Sequence, residues 1–107
     1  MVTIYMVEGD LKPIIEATLT YKDGSIVNLA GCTVKFHMMQ KSTVLIDKPA
    51  EILEPKTEGK IRYNWEAGDT NITGKCTAEF EVTFSDSKTM TFPTETTFEI
   101  VFRKQIK

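Results

Sequence analysis

Residues 75–84 read KCTAEFEVTF, and their alternation decides the fold. Cys76, Ala78, Phe80, Val82 and Phe84 fall on one side, Thr77, Glu79, Glu81 and Thr83 on the other. A period of two suits a β-strand with one face on a core and the other in water. The same period recurs on either side of this stretch. In residues 32–40, Cys32, Val34, Phe36 and Met38 oppose Thr33, Lys35, His37 and Met39. In residues 60–65, Ile61, Tyr63 and Trp65 oppose Lys60, Arg62 and Asn64. Residues 14–21 set Ile15, Ala17, Leu19 and Tyr21 against Glu16, Thr18 and Thr20, and residues 96–103 line up Phe98, Ile100 and Phe102. Shorter extended segments are expected at 2–7, 43–47, 50–53 and 89–92, the third bracketed by Pro49 and Pro55.

Turn chemistry separates these runs: Lys22-Asp23-Gly24-Ser25, Gln40-Lys41-Ser42, Thr57-Glu58-Gly59, the loop 66–74, and Ser85-Asp86-Ser87-Lys88. No segment carries apolar residues at helical spacing for three turns, so no long helix is expected. Seven to nine short, one-sided strands predict an all-β fold, either a sandwich of two sheets or a small barrel. In the sandwich, the two apolar faces meet across a core about 10 Å thick. There is no linker, internal repeat or low-complexity stretch. Residues 1–107 read as a single domain with a short basic tail at 103–107.

Composition excludes more than it assigns. The 107 residues are 41% hydrophobic and 26% charged, which is globular rather than disordered. A net charge of −2 with no basic run offers nothing to a phosphate backbone, so no nucleic-acid partner is expected. No apolar stretch reaches the roughly 20 residues of a membrane helix, so no membrane partner is expected either. The opening MVTIYMVEGDLK lacks a basic segment followed by an apolar one, so no secretory leader is expected. Cys32 and Cys76 are far apart, with no CxxC pair and a single His in the chain, too few ligands for zinc. Trp65 stands between them but much nearer Cys76. A disulfide-bonded immunoglobulin domain instead sets its core Trp on the strand after the first Cys. Both thiols are therefore read as free, packing as small hydrophobes.

Few residues offer chemistry. His37 is expected on the outer face of its strand, without the partner and pocket that general acid–base catalysis requires. Glu79 and Glu81 share one strand face about 7 Å apart. That separation falls in the range of inverting glycosidase carboxylates, but an outward stripe builds no cleft for a sugar. Glu66, Asp69 and Asn71 crowd one loop in the manner of calcium ligands, without EF-hand spacing; Asp69 is read as organising the turn before Gly74. Asn71-Ile72-Thr73 matches a glycosylation triplet that has no secretory context. Catalytic, cofactor and metal sites are therefore all expected to be absent. The alternative reading is a carbohydrate-binding module recognising cell-wall glycans; it would need exposed aromatics, and because Tyr21, Tyr63 and Trp65 all alternate inward it ranks second to a structural role. Met39, Ile14, Ile26 and Ile72 are candidate contact residues on the outside.

Several stretches together carry a family likeness. They are Gly9-Asp10-Leu11 with Glu16-Ala17-Thr18-Leu19-Thr20, then Asp23-Gly24 with residues 27–36 (VNLAGCTVKF). Residues 59–65 (GKIRYNW), Gly68-Asp69-Thr70, Gly74, residues 78–84 (AEFEVTF) and Thr91-Phe92-Pro93 follow. In order and spacing these resemble the immunoglobulin-like N-terminal domain of the phage baseplate upper protein family. Cys32 stands where that pattern often has Ala, and Cys76 where it often has Tyr. The resemblance implies an immunoglobulin-like antiparallel sandwich and a non-enzymatic building block of a phage or prophage tail. Other tail proteins would be its partners, with several copies in the assembled particle. It would reside in the virion after synthesis in the bacterial cytoplasm.

Overall fold

The computed structural model describes residues 2–94 and 96–106. Lys107, the end of the expected tail, lies outside the described residues, as does Met1. The described residues form eight strands: β1 (Thr3–Val7), β2 (Ile15–Thr18), β3 (Thr33–Gln40), β4 (Thr43–Ile52), β5 (Lys60–Tyr63), β6 (Gly74–Thr83), β7 (Thr89–Phe92) and β8 (Phe98–Arg103). The only helical element among the described residues is a 3₁₀ turn, Lys56–Glu58. The all-β expectation holds.

β6 is the centre of the fold, as its sequence suggests. From Cys76 to Val82 every second side chain is buried. β3 pairs antiparallel along one edge of β6, with Phe36 opposite Phe80. The other edge is shared: β8 pairs with Gly74–Ala78 and β7 with Phe80–Thr83. The β6–β7 connection is the turn read from Ser85-Asp86-Ser87-Lys88. Phe84 N donates to Lys88 O, and Lys88 N donates to the Asp86 carboxylate.

The strands do not divide into two separate sheets. They form one hydrogen-bonded path in the order β1-β8-β6-β3-β4-β5-β2, with β7 also on β6. One long strand, β4, replaces the two short ones expected at 43–47 and 50–53. Residues 43–50 of β4 pair with β3, and Glu51 and Ile52 pair with β5. The sheet thus curls through β4, and the β2–β5 leaf comes to face β3 and β6. Pro49 does not break the strand because that stretch has β3 on one side and, among the described residues, no partner strand on the other until Glu51. A second departure from an antiparallel sandwich is β1, which pairs parallel with β8, from Thr3 opposite Glu99 to Val7 opposite Arg103. Arg103 therefore ends a strand rather than beginning a tail.

The core fills the curl. Phe36 is fully buried and stacks on Tyr63 at 4.5 Å between ring centres; Trp65 meets it edge-on at 5.8 Å and Phe80 tilts against it at 5.3 Å. Trp65 lies past the end of β5 but remains buried, and its indole N–H donates to Pro13 O at 2.9 Å. That bond satisfies the one polar group such a ring carries into a core. Three inward or outward assignments need correcting. Tyr21 is 36% exposed rather than inward, because β2 stops at Thr18 and the chain beyond it turns back on itself, with a bridge from Thr20 to Ile26 and Tyr21 N donating to Ser25 O. Ile72 packs partly against the core, held by the turn in which its N donates to Thr70 O. Ile14 is half-buried, leaving Met39 and Ile26 as the exposed members of that set.

Candidate functional site

Two polar clusters are built by strand register. On the outer face, β3 sets His37 opposite Asp47 of β4 and Glu79 of β6. His37 Nε2 lies 3.3 Å from Asp47 Oδ1, and Nδ1 lies 3.1 Å from Glu79 Oε2. Both ring nitrogens thus face a carboxylate of a neighbouring strand. The carboxylate partners of His37 were missed in the sequence, since only pairing across three strands brings them together. Glu81, the other half of the glycosidase reading, stands opposite Lys35 in the register. The two glutamates therefore share a face but do not frame a common cavity.

The second cluster ties β4 and β5 to the loop that follows Trp65. Lys48 is opposite Phe36 and on the same side of β4 as buried Ile46, so its stem runs along the inner face. Its ammonium reaches Asp69 Oδ1 and Glu66 Oε1, both at 2.8 Å. Asp69 also accepts from Tyr63 Oη and, at 2.9 Å, from Glu66 N. The Asp69 side chain is only 5% exposed. Burial opposes its ionisation, but the bonds from Lys48, Tyr63 and the Glu66 amide outweigh that and hold its carboxyl below the usual aspartate value. The bond to Asp69, then that to Glu66, pushes the Lys48 ammonium up. Burial, then the bond to Asp69, pushes the Tyr63 phenol up.

This arrangement answers the calcium reading of the loop. The positive charge between Glu66 and Asp69 is supplied by the chain itself, as Lys48. Among the described residues no group of three His, Cys, Asp or Glu side chains is placed to hold a metal. Asp69 does organise the loop before Gly74, as its position suggested. The part played by Lys48 was not legible, because 43–47 and 50–53 read as separate strands with Lys48 in the gap. On the opposite face of the curl, Arg62 grips Glu51 through Nε at 2.8 Å and Nη2 at 3.2 Å. Cys32 and Cys76 are both free thiols, the first half-buried before β3 and the second fully buried opposite Ile100. Burial pushes both thiols up, away from the reactive thiolate. Tyr63 and Trp65 lie in the core and present no aromatic platform to a sugar.

The described residues thus form a curled all-β sheet with one polar cluster on its outer face and another around Lys48 and Asp69. The chain belongs to the BppU N-terminal domain family, that of the phage baseplate upper protein, whose model matches residues 3–106. No curated protein sequence matches the chain. Among solved structures it is similar to CopC from Methylosinus trichosporium OB3b, with a TM-score of 0.57 and 9% identity, over 100% of this chain and 89% of that one. At that identity the likeness concerns the fold alone. No helix among the described residues is long and apolar enough to cross a membrane.

Proposed function

We propose that the chain is a non-enzymatic structural module of a phage or prophage tail baseplate, making protein–protein contacts in the host-attachment organelle. The observation that carries this reading is the family match, which spans nearly the whole chain. The geometry supports it: Lys48 and Asp69 neutralise each other, and burial holds both thiols away from the thiolate. We read the curled path as an immunoglobulin-like sandwich whose two leaves share β4, and residues 1–107 as one domain. The module would be made in the bacterial cytoplasm, be present in several copies in the particle and end in the virion tail.

The test is assembly. The chain is co-expressed with the proteins encoded beside it, and the mixture is weighed by non-denaturing mass spectrometry. A complex of defined stoichiometry with tail proteins is expected. A chain that remains monomeric at high concentration and ignores those companions would overturn the reading.

A further inference from the structure

We propose that the opening between the two end strands of the curled sheet is a slot for one extended apolar segment of a partner tail protein, which adds to β2 as a further strand. This rests on the structural-module reading above and specifies how one such contact is made. β1 and β2 lie at opposite ends of the sheet path, and the curl leaves a cavity of about 320 Å³ between them. Val2 and Ile4 line one side of it, residues 15–20 the other, and Phe80, Phe92, Pro93 and Phe98 complete the lining.

Six successive residues of the β2 segment line this cavity although their side chains alternate between faces. What borders the slot is therefore the backbone edge of the strand. Leu19 N donates to Gly59 O at 2.8 Å, continuing the register of β2 on β5. In the antiparallel pattern residues 15, 17 and 19 then turn their peptide groups to β5, and Glu16 and Thr18 turn theirs to the slot. Among the described residues no strand pairs with that edge.

An apolar cavity edged by unpaired amides defines its ligand. A lipid chain or an aromatic small molecule fills the cavity but leaves the amides unmatched, at a cost. An extended polypeptide supplies a row of peptide groups and, at every second position, an apolar side chain. The one charged side chain in the lining is the exposed Glu16, so the slot offers no cation to an anionic ligand and a single carboxylate to a cationic one. The ends of the sheet in a folded second copy, β1 and the β2 segment, already commit Met6, Ile15 and Leu19 to their own core and have none of these to place in the cavity. A single segment of a neighbouring protein is the occupant that fits.

The experiment uses the whole chain and overlapping 12-residue peptides tiling both the tail proteins encoded beside it and the chain itself. Binding is followed by amide NMR and hydrogen exchange. A peptide with alternating apolar residues from a tail protein should slow exchange at the Glu16 and Thr18 amides. Thr18→Pro removes one slot-facing N–H and leaves the β5 ladder intact. It should weaken that peptide by about tenfold, with the thermal midpoint nearly unchanged. If Thr18→Pro fails to fold, the exchange footprint on the unmodified chain still decides. Footprints on β1, β4 or β7 instead of β2 would overturn the proposal, as would binding only by this chain's own peptides. Co-assembly with intact tail proteins while no peptide occupies the slot would also overturn it, leaving the structural role standing. Failure of co-assembly itself would count against that role.

Discussion

Asp69 shows how one side chain is held by what surrounds it. It accepts from an ammonium, a phenol and a backbone amide while nearly buried. Asp69→Asn keeps the shape but removes the charge, and bonds to a charged group contribute about 1.5–3 kcal/mol. Urea titration at neutral pH should show a loss of about 2–3 kcal/mol. The pH dependence has a definite sign. The folded carboxyl titrates below its ordinary value of 3.8, so its contribution is complete above that value and fades as pH falls through the folded one. Lys48 and Tyr63 are shifted up; their contributions are complete below 10.5 and 10.0 and fade only in alkali. Between about pH 5 and pH 2 the unmodified chain should therefore lose more stability than Asp69→Asn does, and equal slopes would refute the role given to Asp69. Thr70, the next residue, makes the opposite case. It is 1% exposed, its carbonyl accepts from Gly9 N and Ile72 N, and its hydroxyl has no partner among the described residues. An unpaired buried hydroxyl costs about 1–3 kcal/mol, and Val has nearly the same shape without it. Thr70→Val should raise stability by about 1 kcal/mol in the same titration.

The β3–β4 hairpin carries local strain that its sequence does not relieve. The two-residue connection, Lys41 and Ser42, has φ of 48° and 70°. Two left-handed residues in a row make the turn whose twist matches the flanking strands, and Asn-Gly is the pair that adopts it most readily. Lys and Ser carry a Cβ that the left-handed region disfavours. Replacing both, Lys41→Asn with Ser42→Gly, should stabilise the chain by about 0.5–1 kcal/mol, read as a higher thermal midpoint. Further along, Met38 pairs with Ile46 but Met39 with Val44, so Leu45 is an extra residue in β4. That bulge lets β4 bend while Ile46 stays buried. Gly59 is the reverse of the hairpin case, a position where the sequence already holds the residue the element requires. Its φ is 66°, and a Cβ there would lie 2.9 Å from both Leu19 O and Val27 O. Neither atom can give way easily, since Leu19 N donates to Gly59 O and Val27 N donates to Leu19 O. Gly59→Ala should cost about 2 kcal/mol or more and loosen β2, visible as faster exchange at the Leu19 amide.

At the scale of the molecule, the sequence revealed which face of β2, β3, β5, β6 and β8 is wet but not how the strands connect. Alternation in β3, β6 and β8 placed Phe36, Phe80 and Phe102 correctly, because one buried face leaves a period-two trace in the strand itself. Pairing leaves no such local trace. Nothing in residues 2–7 marks β1 as parallel to β8, and Pro49 suggested a break where an unpaired edge tolerates it. The charged clusters were illegible for the same reason: His37 with Asp47 and Glu79, and Lys48 with Asp69, exist only once register is set. The continuity of the sheet has a measurable consequence. β4 pairs with β3 and then with β5, so neither leaf can leave without breaking that strand, and Phe36 stacks across the gap on Tyr63. Unfolding should then be one cooperative step. The chain's single tryptophan, Trp65, reports on the β5 side, while far-ultraviolet dichroism reports on strands everywhere. In urea the two signals should superimpose, with a slope of about 1–3 kcal/mol per molar. If Trp65 emission shifted at a lower urea concentration than the dichroism, the β2–β5 leaf would be peeling away first. The curl would then be two weakly joined halves, and a slot between its ends would have no rigid walls to offer a partner.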